Sequence, residues 1–228
     1  MVTHRRVRVP GEDRALVGTL VSAEAPSGAA VLFVHGLGSS RATNVERAQA
    51  VCGHHSATCL PIDLGGHGES AGRLTQMTPR RNLEDVVAGY DMLASAPGVD
   101  PGRVGVCAAS YGAYLSVLLT AHRPVSRMLL RAPALYPDDC FDLGLAQRRP
   151  GDAVTAPTLL AHLALFPGPV TIVESERDEI ISHATIAAYL GALPSAVHVV
   201  QRGARHALTD PAWREEFLRM VVEFFSDL

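Results

Sequence analysis

Residues 103–112 read Arg-Val-Gly-Val-Cys-Ala-Ala-Ser-Tyr-Gly. The apolar run Val104 to Cys107 predicts a short buried strand, and it stops at Ala108-Ala109-Ser110-Tyr111-Gly112. A helical pattern starts at once, with Ala113, Tyr114, Val117, Leu118 and Ala121 on one face. A serine on a sharp turn between a strand and a helix is the pattern of a nucleophile elbow. Such a turn needs small residues two before and two after the serine, because the strand and helix backbones nearly touch there. Ala108 and Gly112 hold those positions, and Ala108 departs by one methyl group from the usual glycine. The five residues also fit a buried serine in a tight turn, so the rest of the chain has to decide.

Working outward, strand-like and helix-like runs alternate on both sides of this stretch. Val7–Val9 and Leu16–Val21 flank the turn cluster Pro10-Gly11-Glu12-Asp13 and predict an antiparallel hairpin. Ala30 to His35 is an uninterrupted apolar run, the mark of a central parallel strand buried on both faces. A helix over Asn44–Cys52, a strand over Ala57–Ile62 and the glycine-rich loop Asp63–Ser70 follow. Thr78-Pro79 caps and opens a helix that keeps its spacing through Ser95. Beyond the elbow come a strand over Arg127–Arg131 and a proline-rich segment, Ala132–Gly168, with one helix near Thr158–Leu165. A strand over Val170–Glu174, a helix over His183–Leu190 and a last strand over Val197–Gln201 complete the alternation. Asp210 and Pro211 open a final helix with Trp213, Phe217, Val221 and Phe224 on one stripe. This order predicts an α/β fold: a mostly parallel central sheet with helices on both faces and an N-terminal antiparallel hairpin. The 228 residues fit one domain, with a small lid-like insertion at most over 132–168.

Composition bounds the function. The chain is 47% hydrophobic and 19% charged, with a net charge of -3, which gives no electrostatic reason to expect nucleic acid or an anionic membrane as partner. All 20 basic residues are arginine, so no Schiff-base or phosphate-binding lysine exists. The four cysteines, Cys52, Cys59, Cys107 and Cys140, suggest reduced thiols rather than a disulfide framework. Cys52, His54, His55 and Cys59 resemble a metal cluster only faintly, since Cys59 falls inside a strand pattern, and no metal or other cofactor is expected. The N-terminus lacks an apolar signal segment, and the longest apolar stretch, Leu159–Phe166, is far short of the ~20 residues of a membrane helix. A cytoplasmic protein is the expectation. Oligomeric state is not legible.

Ligands in an open α/β sheet sit beyond the carboxyl ends of the strands. Four predicted strand ends lead into chemistry-bearing residues: His35-Gly36-Leu37-Gly38, Ser110, Ser175-Glu176-Arg177-Asp178, and Gly203-Ala204-Arg205-His206. In chain order this gives serine, acid, histidine. A serine hydroxyl needs a base to take its proton, histidine does so near neutral pH, and a carboxylate fixes the histidine tautomer. The developing oxyanion needs two aimed N–H groups, for which Tyr111, after the serine, and Leu37 are the candidates. For the acid, Glu174, Glu176, Asp178 and Glu179 crowd one loop. Asp178, just before the anchoring pair Ile180-Ile181, is preferred, with Glu176 second. Gly36 and Tyr136 are the candidate substrate contacts, Tyr136 either lining the pocket or simply packing. His35 and His67 are expected to shape their glycine loops, Asp63 to order its loop, and Arg148-Arg149 to form a solvated pair.

These segments together resemble the α/β-hydrolase superfamily. HGLGSS resembles its oxyanion loop, DLGGHGES its next strand loop, CAASYGAY its elbow, ESERDEII its acid loop and GARHALTD its histidine loop, over residues 35 to 210. Within the superfamily the chain resembles small serine esterases and peptidase-like members with a Ser-Tyr-Gly elbow. Asp178 matches the aspartate of the acid loop. Ala108, Ser175 and Ser182 depart from the common glycine, glycine and proline. The resemblance implies a serine hydrolase of small-molecule carboxylic esters or thioesters, working through an acyl-enzyme with Ser110, Asp178 and His206. An acyltransferase or lyase on the same scaffold, or a non-catalytic ligand-binding protein, is the alternative.

Overall fold

The structure is a computed structural model and describes residues 1–228. Its strands are β1 (Val2–Pro10), β2 (Ala15–Ala23), β3 (Ala30–Val34), β4 (Thr58–Asp63), β5 (Val104–Ala109), β6 (Met128–Arg131), β7 (Val170–Ser175) and β8 (Val197–Gln201). Its helices are α1 (Ala42–His55), α2 (Pro79–Ala94), α3 (Tyr111–Leu119), α4 (Pro157–Ala164), α5 (His183–Ala192) and α6 (Pro211–Phe224). The strands form one sheet in the order β1-β2-β4-β3-β5-β6-β7-β8. β1 and β2 form an antiparallel hairpin, β2 runs antiparallel to β4, and every other pairing is parallel.

The alternation of side chains along each strand sorts the core into two halves. Leu32, Val34, Val106 and Ala108 face one side and pack with α2, α3, α4 and α5. Val31, Phe33, Cys107 and Leu129 face the other and pack with Ala48, Val51 and Cys52 of α1 and Phe217 and Val221 of α6. Both faces of β3 and β5 are therefore dry, which is why these strands read as unbroken apolar runs. Removing a side chain such as Phe33 or Leu32 fully from water contributes roughly 1.5–3 kcal/mol each. The parallel strands point their carboxyl ends to one edge, and the loops bearing Ser110, Asp178 and His206 all leave from it.

Helix starts agree with their caps. Thr78 accepts from Arg81 N at 3.2 Å, Ser182 from Thr185 N at 3.2 Å and Asp210 from Ala212 N at 2.8 Å, each cap worth about 1 kcal/mol.

Several boundaries differ from the sequence reading. β1 begins at Val2, well before Val7, because its polar residues are paired one for one with Leu16–Ala23 of β2. Only Val7 and Val9 are buried, so the apolar alternation marked just the inner end of a charged edge strand. α1 extends to both sides of Asn44–Cys52 and ends where Ser56 turns left-handed at φ 55°. α3 stops at Leu119, short of Ala121. The buried stripe near the C-terminus runs Phe217, Val221, Phe225 and Leu228, while Phe224 is only half-buried. Within 132–168 the chain makes two short 3-10 turns, at Asp138–Cys140 and Leu145–Gln147, before α4. No helix is long and apolar enough to cross a membrane.

Candidate active site

The turn after β5 places Ser110 at φ 53° and ψ -120°. An L residue held there costs about 1–3 kcal/mol and stays only where the surroundings fix it. Here Ser110 N donates to Arg131 O at 2.9 Å, and Ser110 O accepts from Ala113 N, Tyr114 N and Ala134 N at 3.0, 3.2 and 3.1 Å. The reason for Gly112 is steric: a Cβ there would lie 2.5 Å from His35 O and 2.6 Å from Val34 O. Ala108 sits at an ordinary parallel strand position opposite Val34 and Leu130. Its methyl group is buried in the core, so the departure from glycine is accommodated.

His206 follows β8 and turns its Nδ1 toward Asp178, 2.8 Å from Oδ2 and 3.0 Å from Oδ1. Both side chains are largely buried. Asp178 Oδ1 also accepts from Ile180 N at 2.9 Å and Ile181 N at 2.8 Å. Burial pushes the Asp178 carboxyl up, but the hydrogen bond from His206 and the Ile181 and Ile180 amides outweigh it and hold the carboxyl below its ordinary range. An ionised Asp178 makes Nδ1 the protonated nitrogen of a neutral ring and leaves the Nε2 lone pair free. The two loops are joined by Glu176 N to Gln201 O at 3.1 Å and Arg177 N to Ala204 O at 2.8 Å. The other carboxylates are engaged elsewhere. Glu174 sits between His183 Nδ1 at 2.7 Å and His198 Nε2 at 2.8 Å. Glu176 accepts from Arg202 and from Gly203 N, both at 2.7 Å, and Glu179 reaches only the His206 amide, at 3.3 Å.

Ser110 and His206 line one cavity of about 600 Å³ at the carboxyl edge of the sheet. Neither ring nitrogen of His206 hydrogen-bonds the Ser110 hydroxyl; Nδ1 is committed to Asp178. Contacts of this kind often tighten only when substrate is bound. Gly36 and Leu37 line the same cavity. A Cβ on Gly36 would lie 3.2 Å from Ser110 Cβ, so the absence of a side chain lets this loop press on the serine. Tyr111 is the first residue of α3, where an N–H has no partner within the helix. The Leu37 N–H likewise has no backbone acceptor. Two free donors therefore flank Ser110.

The Leu37 loop is held from below. His35 Nδ1 donates to Gly36 O at 2.8 Å, and Nε2 accepts from Leu64 N at 3.1 Å. Burial pushes the His35 pKa down to about 4, against a weaker upward pull from the Gly36 carbonyl. His67 lies 5.0 Å from it, ring to ring, and bonds Gly65 O at 3.1 Å. Buried Asp63 accepts from Arg41 N at 2.6 Å and Glu69 N at 2.9 Å, and pairs with the Arg41 guanidinium. The two histidines and Asp63 hold loops in shape.

Tyr136 is not brought to this cavity. It packs edge-on against Tyr114 and Tyr111, with ring centroids 5.1 and 6.0 Å away, and no residue of 132–168 lines the cavity. Arg148 and Arg149 bond within their own segment, to Leu145 O and Asp139. Cys52, on α1, and Cys59, on β4, are core residues, and His55 Nε2 bonds Val222 O at 2.8 Å.

Sequence reasoning missed Arg131. It ends β6, is 5% exposed, and donates from Nη2 to Ser175 Oγ at 2.7 Å and Arg205 O at 2.9 Å. It thus ties the acid loop to the residue before His206, and it gives Ser175 a reason to replace glycine. The available signal was a charged residue closing the apolar run Met-Leu-Leu-Arg. Asn82 and Asp85 were missed as well. Asn82 accepts from the Tyr111 hydroxyl at 3.1 Å, and Asp85 accepts from Gly65 N at 2.8 Å, linking the elbow helix to the glycine-rich loop through α2.

No family model matches the chain. Among curated proteins, the multifunctional-autoprocessing repeats-in-toxin of Vibrio cholerae is 30% identical over 116 residues, 47% of this chain but 2% of the toxin's length. Among solved structures, Est1E of Butyrivibrio proteoclasticus with ferulic acid bound superposes with a TM-score of 0.77 at 16% identity, covering 96% of this chain and 97% of that one. A Pyrococcus furiosus esterase gives 0.75 at 19% identity, covering 97% and 90%. The thioesterase domain from the curacin biosynthetic pathway gives 0.73 at 13% identity, covering 96% and 99%. The chain has the α/β-hydrolase fold.

Proposed function

We propose that the protein is a serine hydrolase of small-molecule carboxylic esters, with thioesters open to the same steps. The Ser110 hydroxyl attacks the substrate carbonyl while His206 Nε2 takes its proton. Asp178 keeps the proton on Nδ1 and stabilises the imidazolium that forms. The N–H groups of Leu37 and Tyr111 stabilise the negative oxygen of the tetrahedral intermediate. His206 then returns the proton to the leaving alcohol or thiol. Water repeats the sequence on the acyl-enzyme and releases the acid.

One observation carries this reading: a serine at φ 53° shares its cavity with an imidazole that a low-pKa carboxylate orients at 2.8 Å. The likeness in fold to an esterase and a thioesterase domain accords with it but leaves the chemistry to the site. The test is a chain-length series of p-nitrophenyl esters with the wild type and Ser110→Ala. Hydrolysis by the wild type and a loss on the order of 10⁶ in kcat in the variant are expected, the scale seen when a triad serine is removed. Equal turnover by both proteins sinks the assignment.

A further inference from the structure

Three arginines line the Ser110 cavity from three elements: Arg47 of α1, Arg131 at the end of β6 and Arg214 of α6. Many arginines elsewhere pair with a carboxylate, as Arg14 does with Asp85 and Arg123 with Asp91. These three do not. Arg131 donates only to neutral oxygens, and its Nε is buried without a partner. Arg47 bonds Asn44 Oδ1 at 2.9 Å and Thr43 O at 2.5 Å, again neutral acceptors. Arg47 and Arg131 lie over the same Phe217 ring, 5.0 and 5.8 Å from its centroid. The only carboxylate lining the cavity is Glu46, which is exposed and forms an ion pair with none of them.

Burial lowers the pKa of Arg47, and that of Arg131 to about 10; Glu46 favours the charge on Arg47 and Asp178 that on Arg131, while Arg214 disfavours the first and Arg47 the second. Three guanidinium groups gathered with no carboxylate in direct contact cost stability, and a ligand that pairs with them directly recovers part of it. Guanidinium forks suit carboxylate and phosphate oxygens because they donate two parallel hydrogen bonds.

We infer that the substrate of this site carries an anionic group, a carboxylate or a phosphate, held by Arg47 and Arg214 on the α1–α6 side of the cavity, above Arg131. The inference rests on Ser110 being the nucleophile and narrows its substrates to charged esters. Arg131 is the fixed positive charge beneath, since its Nη2 is committed to Ser175 and Arg205.

The experiment compares kcat/KM for p-nitrophenyl hexanoate and mono-p-nitrophenyl adipate, two esters of equal chain length that differ by a terminal carboxylate. The wild type is expected to favour the adipate by about tenfold or more, the scale of a charge-assisted hydrogen bond. Arg214→Gln and Arg47→Gln each lower that ratio by about tenfold, and about 0.5 M salt narrows it. Arg219→Gln, farther along α6 and paired with Glu215, leaves both esters unaffected. A wild-type preference for the neutral ester, or a ratio unchanged in both variants, overturns the inference. If neither ester is turned over, the hydrolase reading fails, and calorimetry decides the anion site separately. Ser110→Ala is then titrated with monomethyl adipate and monomethyl phosphate. Saturable binding that Arg214→Gln abolishes upholds the site, and the tighter of the two names the anion. No binding of either overturns it.

Discussion

Acid should weaken the fold through His35, and the size of the effect follows from its surroundings. The ring is 1% exposed, donates from Nδ1 to Gly36 O and accepts at Nε2 from Leu64 N. A second proton would have to sit on Nε2, facing an N–H that already points there. The folded protein therefore holds His35 neutral down to about pH 4, whereas the unfolded chain takes the proton near 6.5. Between those values the unfolded state binds more protons, so stability rises with pH and is lost on acidification. The loss works out at about 2 kcal/mol between pH 7 and pH 5, and about 3 kcal/mol once the pH falls below about 4. With an m-value of roughly 2–3 kcal/mol/M, the first step moves the urea midpoint by close to 1 M. The assay is urea unfolding of the wild type and His35→Asn at both pH values. His67, whose pKa burial also lowers, is present in both proteins, so the difference between them isolates His35. The stability advantage of the wild type should shrink by about 2 kcal/mol at pH 5. Parallel losses in the two proteins would refute the reasoning.

Three substitutions test the remaining parts. Asp178→Asn places an amide where Nδ1–H needs an acceptor and should lower kcat by about 10³–10⁴. Glu176→Gln, which touches Arg202 and Gly203 but not the imidazole, should change kcat by less than about tenfold; the reverse ranking on an ester assay means the wrong carboxylate was chosen. Gly112→Ala drives a methyl group into the His35 and Val34 carbonyls and should cost at least about 1–3 kcal/mol in urea unfolding. An unchanged midpoint would show that the elbow is less tightly packed than described.

The parts that were legible in the sequence share a cause. Strands buried on both faces leave unbroken apolar runs, so β3 and β5 could be read close to their observed limits. Asp178 was preferred because Ile180 and Ile181 were expected to anchor the loop on the core; Ile180 is instead 65% exposed and only Ile181 packs there, while the backbone amides of both bind the carboxylate. What escaped was set by tertiary pairing. The outer half of β1 is strand only because β2 runs beside it, and its own polar residues announce nothing. Arg131 reads as a charge at a strand end until β7 and β8 bring Ser175 and Arg205 to it. Tyr136 was drawn toward the pocket by its place in the chain, yet the rings of Tyr111 and Tyr114 take its apolar face.

The central claim, that Ser110 is the nucleophile, is tested most directly by covalent labelling. The protein is incubated with a fluorophosphonate, digested, and the modified residue mapped by mass spectrometry. The account predicts one adduct, on Ser110, absent from Ser110→Ala and much slower to form in Asp178→Asn. An adduct on Ser39 or Ser175, or no adduct on a protein that still cleaves esters, would contradict it.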